Sequence, residues 1–153
     1  QTRVLMLFYS PFQNTKKNVM IGLLIISHEN LGEEFVRCAT HILGERPNNL
    51  ICLAIQANDD PAFNVAQAKK LLAELDHGEG VLIITDICGA TPCNIASQLT
   101  IPGKVACLAG INLSMLLRIL SYRNEPLDSV VNKALDGGKN GVMWISPESH
   151  HAS

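Results

Sequence analysis

Residues 21–27 read IGLLIIS, an unbroken apolar run of strand length, and a histidine, His28, stands directly after it. A strand with one face in water alternates apolar and polar residues. A continuous run rich in Ile and Leu is what a strand needs when helices cover both faces, as in a parallel sheet. Beyond it, Leu31, Phe35, Cys38, Ala39, Ile42 and Leu43 recur at helical spacing, and Gly44 supplies a C-terminal stop. The stretch reads as the first strand and helix of a βαβ series.

The alternation repeats downstream. Residues 50–55 (LICLAI) form a second strand, after which Asp60 and Pro61 give a cap and a first-turn proline to a helix bearing Val65, Ala68, Leu71, Leu72 and Leu75. Residues 81–85 (VLIIT) make the third strand, which runs into Asp86 and the loop ICGATPCN; Thr91 and Pro92 there begin a helix through Ile95, Ala96 and Leu99. A fourth strand is expected over 105–111, helices over 112–122 and 127–135, the latter ending at Gly137 and Gly138, and a last short, antiparallel strand over 142–145. Parallel strands joined by helical crossovers make an α/β, doubly wound sheet. For one this small the flavodoxin-like order 2-1-3-4 is expected, with ligands beyond the strand C-termini at the switch point between strands one and three.

A chain of 153 residues suits one domain. Met20 directly precedes the first strand, so residues 1–19 read as an extension upstream of the natural start, 20–146 as the domain and 147–153 as a tail. At 47% hydrophobic and 17% charged residues the chain has ample core material. A formal charge of −2 offers no basic stripe, which argues against nucleic acid as a partner. The five cysteines are odd in number and fall mostly in apolar runs, as expected of reduced cytoplasmic thiols. No apolar stretch reaches the roughly 20 residues of a membrane-spanning helix.

The chemistry converges on two residues. His28 follows strand one and Asp86 follows strand three. If those strands are neighbours, their backbones lie about 4.8 Å apart and the carboxylate reaches the imidazole. Such a bond fixes the tautomer, aims the other ring nitrogen outward as a nucleophile and stabilises the charge that develops on the ring. In the following loop, Gly89 and Ala90 are small enough to bring backbone N–H groups to an anion. The helix opening near Pro92 points its positive end there, and Thr91 offers a hydroxyl either to a phosphoryl oxygen or to its own helix cap. Phosphoryl transfer asks for little beyond positioning and charge stabilisation.

Other residues carry less. A lone histidine after a strand is most often a loop residue and an aspartate there a cap; it is their joint position that points to chemistry. His41 complements the C-terminal end of its helix, His77 lies in the turn DHGEG, and His150 and His151 form a tail pair. Cys88 and Cys93 have no second pair at zinc spacing, so no metal is expected. Ser27 beside His28 lacks the nucleophile-elbow sequence of hydrolases. The loop SHENLG lacks the hydroxyl- and glycine-rich cradle a flavin phosphate would need, so no cofactor is expected.

The segments MIGLLIISHENLGEEFVRCATHILG, GVLIITDICGATPCNIA and AGINLSMLLRIL together resemble the mannose-family enzyme IIA of the bacterial phosphoenolpyruvate-dependent sugar phosphotransferase system, over residues 20–145. The resemblance implies that His28 is the phosphorylated histidine and Asp86 the aspartate bonded to it, with Thr91 at a hydroxyl position that is usually serine. It implies the histidine phosphocarrier protein as donor, an enzyme IIB as acceptor for sugar uptake, and contact with the membrane only through a permease complex. It implies a homodimer too, in which residues 142–145 add a strand to the partner's sheet. The loop reads GATP where relatives often have GGSP. No IIB domain follows, so the acceptor is expected to be a separate protein; without one, the chain would be a regulatory module whose partner affinity changes with phosphorylation.

Overall fold

The structure is a computed structural model that describes residues 19–147. Its strands are β1 (Gly22–His28), β2 (Leu50–Ile55), β3 (Val81–Thr85) and β4 (Val105–Ala109). They form one four-stranded sheet in the order β2-β1-β3-β4, every neighbouring pair parallel. The expected α/β architecture and strand order are those observed. The order puts β1 and β3 side by side although 52 residues separate His28 from Val81 along the chain.

Alternation along the buried strands divides the core in two. Leu23 and Ile25 of β1 with Leu82 and Ile84 of β3 face α1 (Leu31–Leu43), α4 (Leu113–Tyr122) and α5 (Leu127–Asn140), through Val36, Leu116, Ile119 and Val130. Leu24, Ile26, Val81 and Ile83 face α2 (Pro61–Leu75) and α3 (Thr91–Ser97), through Ala68, Leu75, Ile95 and Ala96. Both faces of the central strands are dry, which is why they read as continuous apolar runs.

The end signals of the first helices are in place. Gly44 takes the left-handed conformation, φ 87°, and its N–H donates to Thr40 O at 2.8 Å. Asp60 Oδ1 accepts from the Ala62 N–H at 3.0 Å ahead of Pro61.

Two expectations need correction. β4 stops at Ala109, two residues early, because Gly110 turns the chain with φ 91° while the N–H groups of Gly110 and Ile111 both donate to Thr85 O; Asn112 then caps α4. Next, Gly137 and Gly138 do not end α5, which runs through them to Asn140. They are contact residues: a Cβ on Gly137 would stand 2.7 Å from Arg118 Cβ, and one on Gly138 2.9 Å from Met115 Cε, so α4 and α5 approach only where side chains are missing.

Residues 142–145, expected as a last strand, do not join the sheet of their own chain. Val142, Met143, Trp144 and Ile145 lie outside any strand and are exposed, Trp144 by 91%. The longer α5 takes in residues 136–140, leaving Gly141 alone between the helix and this segment.

Candidate functional site

Register sets the site. His28 is the last residue of β1, paired with Ile55 of β2, rather than the first residue beyond the strand. Asp86 directly follows Thr85, which pairs with Ile26 across the β1–β3 ladder. Both residues therefore stand at the C-terminal edge of adjacent strands.

Asp86 Oδ2 accepts from the His28 backbone N–H at 2.8 Å and lies 2.7 Å from His28 Nδ1. Its other oxygen, Oδ1, accepts from the Ile87 N–H at 2.8 Å. The two side chains differ sharply in exposure, 50% for His28 and 8% for Asp86. Burial alone would raise the Asp86 carboxyl. Hydrogen bonds from the His28 N–H, the His28 ring and the Ile87 N–H, with the charge of the imidazole, outweigh it and hold the carboxyl below its ordinary value. An ionised Asp86 accepts from a protonated Nδ1, which leaves the lone pair on Nε2, the ring nitrogen not engaged by Asp86.

An open cleft of about 390 Å³ adjoins the ring, lined by His28, Glu29, Gln56, Asp59, Pro61 and Thr91 among others. Thr91 is the member of the expected 89–91 loop that lines it. Ala90, not Thr91, is the N-cap of α3, and the helix has no side-chain cap, so the Thr91 hydroxyl is not engaged in capping. Gly89 adopts φ 84°, and a Cβ there would meet open space. Backbone conformation, not close approach, is what selects glycine at that position.

Several cleft residues escaped the sequence reading. Gln56 follows β2 directly, and the switch-point argument that picked out His28 and Asp86 extends to it, because β2 pairs with β1. Asp59, beside the helix-capping Asp60, carries no signal of its own in the sequence; its Oδ2 accepts from the Gln56 N–H at 2.8 Å and so shapes the wall. Glu29 carries a left-handed φ of 48°, which nothing in its residue type signals.

Neither His41 nor His77 lines this cleft. His41 sits in the last turn of α1 and lines the groove between α1 and α4. His77 is in a turn closed by Asp76 Oδ1, which accepts from the N–H groups of Gly78 and Gly80. His150 and His151 lie outside the described residues. Burial pushes the Cys52 thiol up to about 12 and that of Cys107 to about 11, the behaviour of packed rather than reactive thiols. No group of three or more metal-ligating side chains occurs among the described residues, and no helix there is long and apolar enough to cross a membrane.

Comparison with known proteins meets this geometry. Residues 22–135 match the model of a family described as PTS system fructose IIA component, EIIA-man. The chain belongs to the EIIA-man family. Among its relatives is the mannose-specific EIIAB component of the PTS of Escherichia coli K12, 28% identical over 128 residues, which are 82% of this chain and 39% of the relative. The chain thus spans well under half the length of that relative. Solved structures share the EIIA-man fold. A mannose/sorbose specific IIA subunit of the phosphotransferase system from Enterococcus faecalis superimposes with a TM-score of 0.74 at 24% identity, covering 83% of this chain and 96% of that one. A PTS IIA protein associated with the fucose utilization operon of Streptococcus pneumoniae gives 0.75 at 21% identity, covering 86% and 97%.

Proposed function

We propose that this EIIA-man protein is a phosphotransferase that carries a phosphoryl group on Nε2 of His28, taking it from the histidine phosphocarrier protein and passing it to an enzyme IIB in the cytoplasm. The observation that carries the reading is the 2.7 Å contact between His28 Nδ1 and Asp86 Oδ2 beneath a half-exposed ring. Membership of a family of phosphotransferase-system IIA components supports it, and the name EIIAB of the Escherichia coli relative supports a IIB acceptor.

In the loading step the Nε2 lone pair forms a bond to phosphorus as the donor's phosphorus–nitrogen bond breaks. The imidazole becomes cationic, and Asp86, already ionised, faces that charge through Nδ1–H. Thr91 donates its hydroxyl to a phosphoryl oxygen, and the backbone of Gly89 and Ala90 borders the group. The second step reverses the first towards the acceptor's nucleophile. Phosphocarrier-dependent labelling tests this: the label is acid-labile, absent in His28→Ala, and chased into IIB. An acid-stable label, or one that persists in His28→Ala, overturns it.

The same reading includes a homodimer in which residues 142–145 pair with a second copy. Four consecutive exposed apolar side chains, Val142 to Ile145, support it, and sedimentation of wild type against Trp144→Glu checks it.

A further inference from the structure

We infer that Ser27 is a positioning residue for phosphoryl transfer, its hydroxyl fastening the turn that carries His28. The inference rests on the His28 reading above and adds a residue to it. Ser27 is 2% exposed, and its Oγ accepts the Gly32 N–H at 2.9 Å. That N–H belongs to the first turn of α1, where four donors lack intrahelical partners. The N-cap residue, Asn30, makes no side-chain cap bond, so the cap comes from a residue of β1 five positions upstream.

The closure ties strand to helix across His28. Ser27 Oγ also stands 3.5 Å from Glu29 O, a long contact, while the Glu29 N–H donates to Ile55 O at 3.1 Å. Together these hold Glu29 in its left-handed conformation, φ 48°, which a non-glycine residue keeps only where its surroundings fix it. The residues on both sides of His28 are thereby fixed, and the ring has one backbone position from which Nδ1 meets Asp86.

Gly32 is the counterpart of this arrangement. A Cβ there would lie 3.2 Å from Ser27 Oγ and 2.9 Å from Ile25 Cγ2, so the hydroxyl reaches the helix N–H only because residue 32 has no side chain. Ser27 and Gly32 act as a matched pair: the first supplies the acceptor, the second the room.

The test combines single-turnover phosphorylation by the phosphocarrier protein with nitrogen-15 NMR of the His28 ring, on wild type, Ser27→Ala, Ser27→Thr and Gly32→Ala. Ser27→Ala is expected to load about tenfold more slowly at saturating donor, with KM for the donor unchanged, as a small misplacement of a reacting group does. Its ring signals show mixed tautomers where wild type shows protonated Nδ1, and Ser27→Thr restores both. Gly32→Ala follows Ser27→Ala even though alanine is the better helix former. A wild-type rate in Ser27→Ala overturns the inference, as does a slower rate with an unchanged tautomer. Failure of wild type itself to accept phosphoryl would instead remove the His28 reading, while the NMR comparison would still decide whether Ser27 orients the ring.

Discussion

A single carboxylate oxygen, Asp86 Oδ2, serves both the main chain and the ring of His28, at 2.8 and 2.7 Å. Strand end and imidazole are therefore oriented by the same atom. Because Oδ1 is occupied by the Ile87 N–H, the carboxylate meets three donors and has no side to turn towards a fourth role.

Asp86→Asn follows from that count. An amide presents one oxygen and one NH2, so whichever way it turns, an N–H group of the protein faces another N–H. The variant also lacks the charge that faces the imidazolium. Phosphorylation of His28 is expected to fall on the order of a hundredfold, in the range of lost second-sphere or electrostatic partners, as read by single-turnover labelling.

The depressed Asp86 carboxyl makes stability depend on acidity. Its folded pKa lies below the ordinary value of 3.8, so the folded state binds fewer protons than the unfolded chain. The resulting stabilisation is complete above the ordinary value and disappears as pH falls through the folded one. Urea titrations of wild type and Asp86→Asn should differ more at pH 6 than at pH 3. An equal gap at both values contradicts the assignment.

Gly137→Ala tests the close approach of α4 and α5. Alanine favours a helix by about 1 kcal/mol over glycine. Here its Cβ would lie 2.7 Å from Arg118 Cβ and 2.9 Å from Cγ, stem atoms that cannot swing aside without moving the helix. Overpacking of this kind costs about 1–3 kcal/mol, so the denaturation midpoint should drop instead of rising.

Arg123 is buried at the opposite end of the sheet. Its guanidinium donates to the carbonyls of Asn48, Asn49 and Ile21, and burial pulls it down to about 10, still charged at neutral pH. Arg123→Met strands those carbonyls and should cost about 2–3 kcal/mol, the scale of charged hydrogen bonds. His28 labelling at permissive temperature should stay unchanged, since His28 is at the other end of the strands.

The sheet order was legible because continuous apolar strands and helical crossovers allow few parallel arrangements, and from that order the meeting of His28 with Asp86 follows. The end of α5 was misread because Gly137 and Gly138 look alike whether they stop a helix or admit a neighbour, and only the partner helix decides. Glu29 was invisible for a similar reason: its backbone conformation is imposed by contacts from Ile55 and Ser27, not by its own type. Ser27 drew notice for a chemistry it does not support, while its bond to Gly32 spans strand and helix, beyond the reach of a cap motif.

The imidazole stands half out in water above a carboxylate that is almost covered. On the proposed function, a phosphoryl group on the outer nitrogen would wait in contact with solvent until another protein closed over it. Such a load would be perishable. The charged fraction would then reflect a race between delivery and hydrolysis, so where acceptors are scarce this molecule would report the present supply of its donor and keep no memory of earlier plenty.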